Sequence, residues 1–263
     1  MAKKLIKAIL ADLDGTINRG SLLIEGALET YETLKGRGIE WILISNSARR
    51  LAEDLAAKLN RLGLNVSNDQ VINSASALLN EMEKNRKGSR IFVIGEPPLV
   101  EGLRNVGAEV TVHNDEGVEI VLVAMDANFH YGKLKTAYQA LSNGALFWAT
   151  NLDPTYPLEG GFVPGAGSIV ASVTTAIGRA PDKVFGKPER DMALLALDRL
   201  NMSPEECLVV GDRMDTDILF ARKVGMYSAL VLTGATSLQD LSQYDFRPHY
   251  VFESIRDIQQ LFS

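Results

Sequence analysis

Ile9-Leu10-Ala11-Asp12-Leu13-Asp14-Gly15-Thr16 is the stretch on which the fold turns. An apolar run ends abruptly in two carboxylates, followed by glycine and threonine. Read as a β-strand, residues 5–11 bury their last part and bring Asp12 to the carboxyl end. Ligands of open α/β sheets bind just beyond the carboxyl ends of strands. Two acids there repel one another unless a cation or a proton lies between them. A metal site that also holds a nucleophile accounts for that cost. A solvated turn or a helix-capping pair is the plain structural alternative.

Outward from this stretch, strand-like and helix-like segments alternate. Residues 26–38 read as a helix, with Ala27, Tyr31 and Leu34 on one face and Gly36 and Gly38 as its stop. Residues 39–44 read as a strand ending in Ser45-Asn46-Ser47. Residues 51–62 form a strongly amphipathic helix capped by Gly63, and Val71-Ile72 is a minimal strand. The order β-α-β-α-β implies a parallel sheet with right-handed crossovers. Strands at 90–94, 118–124 and 145–149 and a helix at 131–141 repeat the theme. Proline and glycine then cluster over 154–167, a loop leading into a helix at 168–177. After the linker Gly178-Arg179-Ala180-Pro181 come a helix at 189–200, a strand at 207–210, a helix at 217–224 and a strand at 227–232.

Three further segments share the shape of the first, an apolar run ending in polar groups. They are Ile42-Leu43-Ile44-Ser45-Asn46-Ser47, Val184-Phe185-Gly186-Lys187-Pro188-Glu189, and Leu208-Val209-Val210-Gly211-Asp212 continuing to Asp217. Brought to one sheet edge, they assemble acids, a hydroxyl and a lysine. That inventory suits phosphoryl transfer. Carboxylates hold a hard cation through oxygen, lysine and hydroxyl or amide donors balance a phosphate, and a carboxylate can attack phosphorus.

The net charge of −6 over 263 residues argues against a nucleic-acid partner held on a broad basic surface. No apolar stretch approaches membrane-spanning length, and the start of the chain lacks the h-region of a signal peptide. A cytoplasmic protein is the expectation. The one cysteine, Cys207, rules out an internal disulfide and reads as a buried hydrophobe. His113, His130 and His249 share no ligand spacing and read as structural or surface residues. Gly165-Ala166-Gly167-Ser168 lacks the third glycine of a dinucleotide loop and reads as a turn closing the middle region.

Taken together, Asp12-Leu13-Asp14-Gly15-Thr16, Ser45, Lys187 and Gly211-Asp212 with Thr216-Asp217 resemble, in order and in position at strand ends, the four motifs of the haloacid dehalogenase-like (HAD) superfamily. The stretches Pro164-Gly165-Ala166-Gly167-Ser168-Ile169, Gly186-Lys187-Pro188 and residues 211–218 resemble more narrowly its NagD and para-nitrophenyl-phosphatase-like subgroup. The resemblance implies an α/β fold: a Rossmann-like, doubly wound parallel-sheet core over 1–78 and 180–263, with an inserted α/β cap over 79–179. It implies Asp12 as nucleophile and metal ligand. Asp14 becomes the general acid/base, ligating the metal through its backbone carbonyl, and Asp212 the direct metal ligand. Ser45, amides near Asn46, and Lys187 become the phosphate-binding groups, with Asp217 as an outer-shell carboxylate that also has a role open to it as a helix cap. Asp215 reads as part of the helix entrance. The subgroup often has Thr-Asn-Asn where this chain has Ser45-Asn46-Ser47, and serine keeps the hydroxyl.

The expected activity is magnesium-dependent hydrolysis of a small phosphorylated metabolite through an aspartyl-phosphate. A phosphotransferase or phosphomutase, or a non-catalytic scaffold, are the alternatives. Asn151 and Asp153, a polar cluster after an apolar run, and Arg49, in an unusually basic stretch, are the expected specificity residues. Family members often pair through the cap, so a homodimer is among the expectations.

Overall fold

The computed structural model describes residues 6–114, 116–158 and 161–262. In chain order, β1 (Ala8–Asp12) is followed by a small hairpin of β2 (Asn18–Arg19) and β3 (Leu22–Leu23). Then come α1 (Ala27–Gly36), β4 (Glu40–Ser45), α2 (Ala52–Arg61), β5 (Val71–Asn73) and α3 (Ser74–Asn85). The middle holds β6 (Arg90–Ile94), α4 (Pro97–Asn105), β7 (Glu109–Thr111), β8 (Ile120–Val123), α5 (Tyr131–Ser142), β9 (Leu146–Ala149), β10 (Thr155–Leu158), β11 (Gly161–Pro164), α6 (Ala166–Ile177) and β12 (Lys183–Val184). The chain closes with α7 (Asp191–Leu200), β13 (Cys207–Gly211), a single π turn (Met214–Ile218), α8 (Leu219–Val224), β14 (Tyr227–Val231) and β15 (Tyr250–Phe252).

The chain divides into two compact units. One comprises Met1–Ser45, Ala52–Ile72 and Lys187–Ser263, the other Asn46–Leu51 and Asn73–Gly186. Apart from the segment 46–51, the division falls at 72/73 and 186/187, whereas the sequence suggests 78/79 and 179/180. The differences have physical causes. Residues 78 and 79 lie inside α3, which is one body nucleated by a capping box in which the Asn73 side chain accepts from the Ser76 amide. Residues 183–184 form β12, which pairs with β9.

The first unit contains a six-stranded sheet of order β15-β14-β13-β1-β4-β5. The β1 register with β13 and β4, and those of β13 with β14 and β14 with β15, are parallel. Burial on both faces explains why β1 and β13 read as unbroken apolar runs: all five residues of each are buried. Ile9, Ala11, Leu43, Leu208 and Val210 pack with Tyr31, Leu34 and Trp41 in one core. Successive strands run from β1 toward β4 and β5, and the chain later returns to build β13, β14 and β15 on the other side. β1 and β13 therefore flank the topological switch point, and the fold delivers Asp12 and Asp212 to it.

The second unit has its own parallel sheet, β12-β9-β8-β6-β7. Phe92, Val121 and Phe147 form its core with Val170 and Val173 of α6. Residues 154–167 are not wholly loop: β10 and β11 pair as an antiparallel hairpin, whose prolines and glycines hide the strand pattern. The helix α4 is hidden in the same way, since Pro97 and Pro98 stand at its start, where their missing amide hydrogens cost nothing. Among the described residues, no helix is long and apolar enough to cross a membrane.

Candidate active site

The site is built at the carboxyl ends of the strands of the first unit. Asp12 is the last residue of β1 and is 8% exposed. It lies level with Ile44 in the register with β4, so Ser45, the terminal residue of β4, stands one step beyond it. Asp212 follows directly on β13. Asp217 lies in the π turn, an irregularity that recurs at functional sites. It also ties the turn together, because its Oδ2 accepts the Arg213 amide at 3.1 Å. Asp217 thus fastens the helix entrance while its other oxygen, Oδ1, accepts from Lys187 Nζ at 2.6 Å. The same ammonium donates to Asp12 Oδ1. Lys187 is 4% exposed.

Carboxylate oxygens of Asp12, Asp212 and Asp217 lie within 4.8 Å of one another, close enough to hold a metal ion. Glycines make this crowding possible. A Cβ on Gly15 would stand 2.6 Å from Asp212 Oδ2, and Gly15 has a φ of +92°. Side chains at Gly211 and Gly234 would collide with Asp217 and Asp212. Asp212 Oδ2 accepts the Ala235 amide at 2.6 Å, whereas Oδ1 is buried with no hydrogen-bond partner.

One ammonium, Lys187, pairs with Asp12 and Asp217, and Asp212 lies beside them, so three acids are gathered around a single buried lysine. The electrostatics follow. Burial, with Asp217 and Asp212 as like-charged neighbours, raises the Asp12 carboxyl well above its ordinary range, although Lys187 opposes the shift. Burial and Asp217 push Asp212 up to about 6. Burial opposes the Lys187 charge, but Asp12 and Asp217 outweigh it and hold its pKa above the ordinary value. The acids are short of positive charge and the lysine is secure in its own.

The Asp14 side chain lies outside the three-acid cluster and is exposed. Its Oδ1 accepts from Asn18 Nδ2 at 3.1 Å, a partner that the sequence did not single out. Asp215 pairs with Arg213 at 2.9 Å and stays at the helix entrance. Cys207 is buried, with its thiol pushed up to about 11 by burial, as suits an inert side chain. His130 caps α5, its Nδ1 accepting the Gly132 amide at 3.1 Å, and His249 contacts Ser228.

The remaining sequence candidates meet in the second unit. Asn46 Nδ2 donates to both carboxylate oxygens of Asp153, at 3.2 and 3.1 Å, so the Asn46 side chain is engaged there. Asn151 donates to the Asn46 carbonyl at 2.8 Å, as does the Ser74 hydroxyl at 2.6 Å. Asn73 holds the carbonyls of Ser47 and Arg50. The Arg49 guanidinium stands over the Tyr156 ring at 5.0 Å, with its Nε buried and lacking a hydrogen bond. Tyr156, Asn73 and Ser74 escaped the sequence reading because their partners lie far off in the chain. Gly165 and Gly167 leave no room for a side chain against the backbone of 152–155, the close approach that the Gly-rich turn exists to allow.

An acid at a switch point, hydrogen-bonded to a buried lysine and beside two further acids, can attack an electrophile whose negative charge a cation and the lysine share. Known proteins resemble the chain over nearly its whole length. Residues 9–109 match the family model for haloacid dehalogenase-like hydrolases, and residues 184–258 match a HAD-hydrolase-like model. The chain is 33% identical over 249 residues to an acid sugar phosphatase of Staphylococcus haemolyticus, covering 95% of this chain and 94% of the relative. The p-nitrophenyl phosphatase from Archaeoglobus fulgidus superposes with a TM-score of 0.91 at 30% identity, covering 97% of this chain and 99% of that one. The glycerol phosphate phosphatase from Mycobacterium tuberculosis in complex with magnesium superposes with a TM-score of 0.87 at 31% identity, covering 97% and 77%. The chain is an enzyme of the haloacid dehalogenase-like hydrolase family, in the group of the NagD and p-nitrophenyl-phosphatase-like proteins.

Proposed function

We propose that this enzyme hydrolyses small phosphomonoesters, phosphorylated sugars or polyols among them, with magnesium and through an aspartyl-phosphate on Asp12. The observation that carries the reading is the charge-deficient cluster: Asp12 bonded to Lys187 beside an Asp212 whose Oδ1 is buried and unpartnered. The donor set fits magnesium, a hard cation that takes oxygen ligands and few carboxylates. Asp12, Asp212 and the Asp14 backbone carbonyl would hold it, with Asp217 behind them. When bound, the ion would add positive charge that favours the carboxylate form of Asp12 and would share the charge of the phosphoryl oxygens.

In the first half-reaction an Asp12 carboxylate oxygen bonds to phosphorus as the bond to the leaving oxygen breaks, and Asp14 gives that oxygen its proton. Lys187 and the Ser45 hydroxyl donate to the transferring phosphoryl group. In the second, Asp14 takes a proton from water, which attacks phosphorus and releases phosphate from Asp12. The relatives named for sugar phosphate and glycerol phosphate support the substrate class.

The second unit, in this reading, is the inserted cap that selects the leaving group, through Arg49, Asn151 and Asp153. The enzyme is taken as cytoplasmic and homodimeric, and light scattering on the purified protein tests the latter. The central test is single-turnover phosphate release. A burst of alcohol release matched by labelling of Asp12 is expected in magnesium. Turnover surviving Asp12→Asn would overturn the mechanism.

A further inference from the structure

Asn18 stands out among the buried polar residues. It has no exposed surface, and its Oδ1 is buried with no hydrogen-bond partner. A buried amide oxygen left unpaired costs its desolvation, which an apolar side chain of similar size would avoid. The cost goes with what the other end of the amide does. Nδ2 faces two acceptors, Asp14 Oδ1 at 3.1 Å and the Gly20 carbonyl at 3.0 Å, and this arrangement fixes which end of the amide is nitrogen. The backbone of the two residues is locked as well. Asp14 and Asn18 form a β-bridge, the Gly15 amide donates to the Asn18 carbonyl at 2.8 Å, and the Asn18 amide donates to the Leu13 carbonyl at 2.9 Å. The following Arg19 anchors the hairpin to the Thr233 carbonyl at 2.6 Å.

Asp14 is exposed, so nothing of its own burial fixes its rotamer. We infer that Asn18 is a positioning residue for the reaction: it pins Asp14 Oδ1 and so presents Oδ2 as the one oxygen that exchanges protons with the leaving group. The inference rests on the reading of Asp14 as the general acid. In the step concerned, the proton on Asp14 Oδ2 passes to the leaving oxygen as its bond to phosphorus breaks and the bond from Asp12 to phosphorus forms. A carboxylate free to rotate spends part of its time with neither oxygen in line, and general acid catalysis is lost in proportion. The loss matters only where the leaving group needs a proton. An alkoxide does and p-nitrophenolate does not.

The test is kcat/KM, which reports the first phosphoryl transfer, for an alkyl phosphate such as glycerol 3-phosphate and for p-nitrophenyl phosphate, with Asn18→Leu. A fall of about tenfold is expected on the alkyl substrate and less than about twofold on the aryl one. Their ratio is insensitive to the fraction of protein folded, since unfolding lowers both alike. Asn18→Ala, which introduces no bulk, must move the ratio in the same direction if Asn18→Leu expresses poorly. Asp14→Asn on the same pair separates the two readings. If Asp14→Asn shifts the ratio strongly and neither Asn18 variant does, the positioning role is wrong. If Asp14→Asn leaves the ratio unchanged, the general-acid reading fails and the positioning role fails with it.

Discussion

Each of the two units carries a parallel sheet with a switch point, one between β1 and β13, the other between β6 and β8, and each has a buried aspartate paired with a lysine at or just beyond the end of a central strand. The two ends differ in charge balance. In the second unit Lys133 meets Asp126 at 2.5 Å, and the other Asp126 oxygen accepts the Asn128 amide at 2.8 Å, so one acid and one base satisfy each other. In the first unit a single ammonium serves Asp12 and Asp217 with Asp212 alongside, and one Asp212 oxygen is left over. The topology provides the place in both. Only the imbalance of charge and the orphaned oxygen mark a place for chemistry.

The sharpest way to break this contrast is to remove the acid that the imbalance serves. Asp12→Asn should cost at least ~10⁴-fold in kcat with the circular dichroism spectrum intact, and chelating magnesium should silence the native enzyme as fully. Lys187→Met should lower kcat by ~10²–10³-fold, because the phosphoryl charge then lacks its fixed donor. Steady-state assays on the purified variants check both. Residual activity near the native level in either would mean that the cluster is merely structural.

The balanced pair should respond in the opposite sense. Lys133→Met leaves Asp126 buried without its counter-charge, at a cost of about 3 kcal/mol, yet kcat per folded molecule should hold. Urea unfolding alongside active-site titration decides this. A variant that kept its stability but lost turnover would place chemistry in the second sheet as well.

The contrast also explains what the sequence could reveal. Asp12, Asp212 and Lys187 were legible because each ends or follows a short apolar run, and period and polarity are local signals. Asn18 was not, because an asparagine four residues after an acid in a turn looks like ordinary turn chemistry. Its meaning lies in burial and in the partner of its amide. The Asn46–Asp153 bond joins positions 107 residues apart, a pairing no periodicity encodes. The helix α4 and the hairpin of β10 and β11 were hidden by prolines, which mark breaks in general but are tolerated at a helix start and on edge strands.

Within the second unit, the proposal that its polar loop cluster selects the leaving group predicts a smaller effect. Asp153→Ala should remove the Asn46–Asp153 hydrogen bonds and change the ratio of kcat/KM between a sugar phosphate and p-nitrophenyl phosphate by about tenfold. A ratio that stayed constant across a substrate panel would remove Asp153 from the specificity set.

The smallest effect probes the charge deficit directly. The Asp212 carboxyl, pushed up to about 6 from 3.8 by burial and Asp217, holds a proton in the folded state that the unfolded chain has already released between about pH 4 and pH 6. The folded state binds more protons across that window, so this group makes stability fall as pH rises through it and contributes no further slope above. The raised Asp12 carboxyl acts in the same direction. Asp182, whose carboxyl is depressed by the Phe147 amide and Arg179, acts oppositely but below about pH 4, and the comparison that isolates the Asp212 effect is native against Asp212→Asn without metal. The native protein should lose several degrees of Tm relative to the variant between pH 4.5 and pH 6.5. Magnesium competes with those protons and should raise the native Tm more at pH 7.5 than at pH 5, and the variant's far less at either. Parallel Tm curves for the two proteins would mean that Asp212 ionises alike in the folded and unfolded chain, and that the cluster carries no deficit of positive charge.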